Sequence, residues 1–387
     1  MFNIIKFFST YFKRKNVENL HKIWLNKKVH FSNLLMSRNE IHWSKISHSI
    51  KIAKSVTFLY PKGCHVFRGH NLENIFSDKK ILYIDDYNWY TSDIFISLAF
   101  GIETPEYIND ELLKINKPIL VAEETFLRSV VPSSGAPKDC PQKFLDAISH
   151  FLDARCPHFY VGAISSLEQL LNSDINFDKE KKDYSRKIIS LILDNKLSKY
   201  NSQCIELSNF INNGKKNILL IDQVDGDMAV NFNGGSVDDF KLMLSKAIEE
   251  NPNYNIIIKT HVDKRKGIFT GFKLPKNVFL YTESINILSL LERVDKLYVY
   301  SSAVGIEGIL AGKEVHVFGS PIYAGWGLTN DIRSFPYRKK RLSVEELFYK
   351  IYIMYSHYCN PITSEKCEIE EAIEVLIKLR DEYLLKY

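Results

Sequence analysis

Short apolar segments alternate with longer amphipathic ones along the chain from about residue 55 to residue 318. Apolar runs of three to five residues, bounded by Gly, Pro, Asp or Lys, are typical of strands buried on both faces of a sheet. In the first part of the chain this pattern predicts strands at 56–60, 81–84, 119–122 and 159–161. A charged, mostly helical stretch from Ser166 to about Ile211 follows.

A second series of the same kind begins after a turn-rich break at 212–216. Regular alternation of strand and helix predicts a parallel sheet covered by helices on both faces. The predicted strands are 217–221, 256–259, 278–281, 296–300 and 315–318, and the predicted helices are 237–250, 284–291 and 304–311.

Two such series predict an α/β protein of two Rossmann-like domains, whose parallel sheets face each other across a cleft. We expect an N-terminal domain at 1–215, a C-terminal domain at 216–365 and a C-terminal helix at 366–387. Ligands of such sheets bind beyond the carboxyl ends of the strands.

The composition is that of a globular protein, with 45% hydrophobic and 25% charged residues. A length of 387 residues suits two domains. The 51 basic residues exceed the 46 acidic ones only slightly. This mild excess favours anionic ligands or a membrane surface over nucleic acid, which would require a clustered basic stripe.

The first 15 residues combine an apolar stretch with Lys and Arg and read as a short basic amphipathic helix. Such a helix can lie on an anionic membrane leaflet, and the alternative is a helix packed on the protein's own surface. No apolar run reaches the length of a membrane span. The six cysteines form no CxxC pair, which favours free thiols in a reducing compartment.

Polar residues follow two strands of the second series. Lys259 and His261 end one strand, and four more charged residues follow at 263–266. A Lys and a His there can neutralise a phosphate on a departing nucleotide, although a solvated basic loop is the alternative. Ser301 and Ser302 end another strand and precede a helix that contains Glu307. This helix start predicts an anion or ribose site, and an ordinary cap is the alternative.

Two further loops of the second series contain candidate residues. The loop 318–331 holds three glycines with Tyr323 and Trp326, which predicts a shaped binding loop or, alternatively, aromatic core residues. Gln223 and Asp227 lie in the run 222–227, whose aspartates indicate either a metal site or a turn.

In the first series, Glu123, Glu124 and Arg128 lie at the end of the strand 119–122. A carboxylate beside an arginine is commonly a salt bridge. A carboxylate at a strand end that faces the cleft can instead have a catalytic role, and the sequence predicts that role here.

These segments resemble the bacterial capsule-synthesis β-Kdo transferases. The run Glu-Glu-Thr-Phe-Leu-Arg-Ser at 123–129 is similar to their Glu-Asp-Gly-Phe-Leu-Arg-Ser motif, and Tyr-Ala-Gly-Trp-Gly-Leu-Thr at 323–329 lies in their most distinctive block. The segments 165–171, 197–201, 222–227 and 259–261 occur in the family's order. The chain departs from the family at Glu124, where the family has Asp, at Thr125 in place of Gly, and at Val262 in place of Pro.

The resemblance implies a GT-B fold and a retaining glycosyltransferase that uses CMP-β-Kdo, with a glycan or glycolipid as acceptor. It places Glu124 as the nucleophile, because either carboxylate can attack an anomeric carbon, and leaves Glu123 as a structural partner. It also implies a site for the leaving phosphate that uses no metal or other cofactor and is made by Lys259, His261, Ser301 and Ser302. It implies a donor site that contains Gln223, Asp227, Glu307, Tyr323 and Trp326. Arg128 is expected to contact either Glu124 or the sugar carboxylate.

We therefore expect a cytoplasmic protein, peripheral on the inner face of the inner membrane if its first residues bind lipid. Two alternatives remain open at this point. One is a GT-B transferase with another nucleotide sugar, and the other is a non-catalytic component of a polysaccharide assembly complex.

Overall fold

A computed structural model describes residues 42–62, 71–98, 109–133, 136–206, 210–211, 213–261 and 267–387. The basic segment 1–15 and the charged run 263–266 lie outside the described residues. Within those ranges no helix combines the length and the apolar character needed to cross a membrane.

The first sheet has seven strands in the order β13-β12-β5-β4-β3-β1-β2. Strands β2, β1, β3 and β4 are parallel, so their carboxyl ends lie at one edge, whereas β5, β12 and β13 are antiparallel to their neighbours. The strands are β1 Ser55–Phe58, β2 Lys80–Tyr83, β3 Ile94–Leu98, β4 Ile119–Glu124, β5 Ser149–Asp153, β12 Ser356–Asn360 and β13 Glu365–Cys367.

The second sheet has six strands, all parallel, in the order β11-β10-β9-β6-β7-β8. Three consecutive isoleucines make β7 buried along its whole length, as expected for a central parallel strand. The strands are β6 Asn217–Ile221, β7 Asn255–Lys259, β8 Val278–Tyr281, β9 Lys296–Val299, β10 Glu314–Val317 and β11 Asn330–Asp331.

Helices connect the strands and cover the sheets. They are α1 Trp43–Ile52, α2 Asn109–Lys114, α3 Gln142–Leu145, α4 Ser166–Asn172, α5 Lys179–Asp194, α6 Met228–Asn231, α7 Val237–Glu250, α8 Ile287–Leu291, α9 Val304–Leu310, α10 Val344–Phe348 and α11 Ile369–Lys386. A π-helix, Tyr349–Tyr355, follows α10 directly. Helix α7 begins with a capping box between Ser236 and Asp239, which satisfies the free amides of its first turn.

The predicted two-sheet α/β class is confirmed, and three details differ. Strands β3, β5 and β11 were not predicted. Residues 159–161 form a turn rather than a strand, and Val161 N donates to Phe232 O of the second half of the chain at 3.2 Å. Residues 356–365, which we expected in the second domain, contribute β12 and the start of β13 to the first sheet, because β12 pairs with β5.

Candidate functional site

A pocket opens where the carboxyl ends of β6, β7 and β9 meet at one edge of the second sheet. The loop after α5 forms its other side. The residues that line the pocket include eight polar ones, namely Lys199, Gln223, Asp227, Lys259, His261, Ser301, Ser302 and Glu307. Seven of these were predicted from the sequence, and Lys199 was not. Ligand sites of parallel α/β sheets form at this kind of edge.

The loops after β6 and β9 are joined by Gln223 and Ser301. Ser301 N donates to Gln223 Oε1 at 3.0 Å, and Gln223 Nε2 donates to Ser301 Oγ at 3.2 Å. Ser302 Oγ accepts from Val304 N at 3.3 Å at the start of α9. Of the two serines, Ser302 therefore bonds the helix start, while Ser301 holds the loop after β6 in place.

Lys259 and His261 approach the pocket from the end of β7. Lys259 is buried, and its Nζ donates to the carbonyl of Thr260 at 2.9 Å. Burial lowers the pKa of Lys259 to about 8, because the surroundings do not solvate the ammonium well. An anion in the pocket would stabilise the charged form of this lysine.

Glu124 and the buried Arg128 form an ion pair at the end of β4, with 2.5 Å between Arg128 Nε and Glu124 Oε2, and the Glu124 side chain is 19% exposed. Arg128 is 0% exposed, and its other nitrogens donate to Ser129 Oγ, Ser133 Oγ and Leu145 O. Burial opposes the charge of Arg128, but Glu124 outweighs that effect and raises the pKa of the guanidinium. Arg128 therefore contacts Glu124, and its burial leaves no surface for a sugar carboxylate.

Glu123 differs from Glu124 in its electrostatic surroundings. Burial, and then the neighbouring Glu124, raise the pKa of Glu123 to about 8. The charge of Lys199 lowers the pKa of Glu123 and that of Asp227 raises it, both less than burial and Glu124 do. Lys199 and Asp227 line the pocket, whereas Glu123 and Glu124 are not among the described residues that line it. The two adjacent carboxyls thus have distinct environments, one paired with a guanidinium and one predominantly protonated at neutral pH.

Glu307, in the first turns of α9, contacts the backbone of the loop after α5. It is 5% exposed, and its Oε1 accepts from Lys199 N at 3.2 Å. Burial raises the pKa of Glu307 to about 8. The predicted contact of Glu307 with ribose or base stays a prediction, whereas its bond to the Lys199 loop is part of the structure.

Tyr323 and Trp326 lie in the core rather than in the pocket, which corrects the expectation that they line it. They are 1% and 0% exposed. Tyr323 Oη donates to Ser302 O at 2.5 Å, and Trp326 Nε1 donates to Ile322 O at 2.7 Å. Aromatic rings are the largest apolar groups available, and here they fix the loop against α9.

Asp227 caps α6, because its Oδ1 accepts from Ala229 N at 2.8 Å. Asp222 is buried and accepts from Phe269 N and Gln223 N at 3.0 and 2.9 Å. Within the described ranges, no group of three or more His, Cys, Asp or Glu side chains is placed to hold a metal ion. The turn interpretation of 222–227 is therefore the one that these contacts favour.

Comparison with known proteins identifies relatives of this chain. The family described as "Capsule polysaccharide biosynthesis protein" matches residues 165–360. "Capsule polysaccharide modification protein LipA" of Neisseria meningitidis is 35% identical over 279 residues, which is 68% of this chain and 38% of LipA. The chain therefore spans about four tenths of the length of that relative.

Two structures of KpsC from Thermosulfurimonas dismutans share the fold. The one described as a beta Kdo 2,4 transferase has a TM-score of 0.72 and 31% identity, and covers 83% of this chain and 97% of that one. The beta Kdo 2,7 transferase has a TM-score of 0.60 and 21% identity, and covers 84% and 99%. The predicted GT-B fold is thereby confirmed. The family model matches half of the chain, and the fold of the KpsC beta Kdo 2,4 transferase covers 83% of it. The chain therefore belongs to the capsule polysaccharide biosynthesis proteins.

Proposed function

We propose that the protein is a retaining glycosyltransferase that moves Kdo from CMP-β-Kdo onto a bacterial surface glycan or glycolipid. One arrangement carries the proposal: Lys199 lines the same pocket as Lys259, His261 and the paired serines, and its backbone accepts from Ser129 N, next to the ion pair of Glu124 and Arg128. The likeness to the KpsC beta Kdo 2,4 transferase supports an acid sugar as the transferred group.

In the first step, a carboxylate oxygen of Glu124 forms a bond to the anomeric carbon of the donor. The bond from that carbon to the phosphate oxygen breaks, and CMP leaves with the electron pair. Lys259 and His261 stabilise the charge that develops on the phosphate. Glu123 is the poorer nucleophile, because a carboxyl with a pKa of about 8 is mostly neutral at pH 7.

In the second step, an acceptor hydroxyl attacks the same carbon and releases its proton, and the ester to Glu124 breaks. Two inversions give net retention. Arg128 neutralises the carboxylate before attack and after release, so the ion pair with Glu124 restores the resting state.

The experiment is a transfer assay with CMP-Kdo generated in place and glycolipid acceptors, on the wild type, Glu124→Gln and the matched neighbour Glu123→Gln. We expect Glu124→Gln to lower turnover by about three or more orders of magnitude and to leave CMP affinity unchanged. Mass spectrometry of the trapped intermediate should find a sugar adduct on Glu124. Near-normal turnover of Glu124→Gln would exclude double displacement through this residue, and an adduct on Glu123 would move the nucleophile by one position.

A thermal-shift measurement with nucleotides, together with the transfer assay, distinguishes the two alternatives. Stabilisation against heat by UDP or GDP but not by CMP would indicate another nucleotide sugar. CMP binding without turnover would indicate a non-catalytic component of an assembly complex. The cytoplasmic location and a contact of the segment 1–15 with the inner membrane remain proposals, which a fractionation with and without that segment tests.

A further inference from the structure

The loop 197–201 links the two halves of the site. Its residue Asn201 donates from N to Val130 O at 2.8 Å and from Nδ2 to Ser129 O at 2.9 Å, next to Arg128 in the first half. Ser129 N in turn donates to Lys199 O at 3.2 Å. On the other side, Lys199 N donates to Glu307 of α9. The backbone of Lys199 is therefore bonded to both halves of the protein.

The side chain of Lys199 lies in the pocket, half-buried. Its Nζ lies 5.7 Å from the centre of the Tyr200 ring. In the described part of the chain, no carboxylate lies within ion-pairing distance of this ammonium, although Glu124 and Asp227 are near enough to influence it electrostatically. Lys259 likewise makes no ion pair among the described residues. Burial opposes the charge of Lys199, but Tyr200 and Glu124 outweigh burial and raise the pKa of the ammonium, which therefore stays charged and available to an anionic ligand. Burial lowers the pKa of Lys259, so an anion in the pocket would stabilise its charged form.

The donor of the proposed reaction carries two anionic groups on one carbon. The anomeric carbon of a CMP-activated 2-ulosonic acid bears the phosphate and the carboxylate together. A residue that binds this carboxylate must therefore lie between the nucleophile and the phosphate site. Lys199 has this place, because its backbone bonds to Ser129, next to Arg128, and to Glu307 on α9, while its side chain lines the same pocket as Lys259. Arg128, the other cation beside Glu124, is buried and already bonded.

We propose that Lys199 binds the carboxylate of the acid-sugar donor and thereby selects 2-ulosonic acid sugars over neutral sugars. Lys259, at the edge of the second sheet, binds the phosphate. Each of the two anionic groups of the donor is therefore bound by one lysine. Glu307 is a positioning residue, since it holds the backbone from which Lys199 extends. This inference rests on the proposed function, and it names the part of the site that recognises the sugar.

The test measures two constants in the transfer assay, the KM for CMP-Kdo and the inhibition constant of CMP, which lacks the sugar carboxylate. Lys199→Gln should raise the KM about 10-fold or more, since hydrogen bonds to charged groups are the stronger kind. It should change the inhibition constant of CMP by less than about twofold. Lys199→Arg keeps a cation and should recover most of the loss, which a merely structural defect would not show.

Lys179→Gln is the matched control, because it removes one positive charge from a side chain that is 90% exposed on α5. A parallel rise of both constants in Lys199→Gln would place the lysine on the phosphate and overturn the assignment. A loss of kcat at unchanged KM would do the same, because it would place Lys199 on the nucleophile. A wild type that transfers no Kdo refutes the proposed function itself, whereas a wild type that transfers Kdo with an unchanged KM in Lys199→Gln refutes only this inference.

Discussion

The buried carboxyl of Glu307 should make the stability of the protein depend on pH. Burial raises its pKa in the folded state to about 8, against 4.5 for a solvated glutamate carboxyl. Between these two values the unfolded chain releases the proton and the folded protein keeps it, so stability is lost as the pH rises through this window. A full proton of difference amounts to about 1.36 kcal/mol per pH unit. From pH 5 to pH 7 this one group therefore lowers the free energy of unfolding by about 2 to 3 kcal/mol.

The perturbation is Glu307→Gln, which keeps an oxygen to accept from Lys199 N but cannot ionise. Urea unfolding at pH 5, 6 and 7 should show a smaller fall in the free energy of unfolding for the variant than for the wild type, by about the 2 to 3 kcal/mol given above. Glu249→Gln, an exposed carboxylate on α7, should leave the wild-type slope unchanged. If Glu307→Gln retains the wild-type slope, Glu307 is ionised in the folded protein and the desolvation argument is wrong.

Three further predictions concern the ion pair, the helix packing and the metal. Arg128→Met leaves the Glu124 carboxylate without its partner and should cost about 3 to 5 kcal/mol in urea unfolding, whereas a loss below about 1 kcal/mol would show that the pair is solvated. Gly305→Ala places a methyl group against the buried Tyr323 Oη and should lower the melting temperature, with a cost of about 1 to 3 kcal/mol; an unchanged melting temperature would contradict the packing. Activity should survive EDTA, and a strict Mg²⁺ requirement would count against a phosphate site made of side chains alone.

The second sheet was predictable because its strands are continuous apolar runs. Each of the five predicted strands overlaps one of β6–β10, within one residue at either end. The strands of the first sheet were harder to predict from the sequence. Strand β5 reads Ser-His-Phe-Leu-Asp and gives a weak apolar signal, although all five residues are buried. Strand β12 pairs with β5 from about 200 residues away, and such a long-range pairing leaves no local pattern in the sequence.

Residues of the site at strand ends were predictable for the same reason, since the carboxyl ends of parallel strands share one edge. Lys199 lies in a loop, and only its place in the segment 197–201, which resembles the family, pointed to it. Tyr323 and Trp326 could not be assigned from composition, because an aromatic ring suits a core and a binding loop equally. Their burial decides between the two.

The return of β12 to the first sheet has a consequence for synthesis on the ribosome. Strand β5 is made early, yet its outer edge stays unpaired until residues 356–360 emerge, and Tyr355 Oη reaches Asp153 across 202 residues at about the same time. The whole second sheet, 217–331, is complete before then. The nascent chain therefore carries an open strand edge while about 200 further residues are added, which is a hazard for aggregation. Chains interrupted before residue 356 should accumulate with holding chaperones, while those that pass residue 367 should be released.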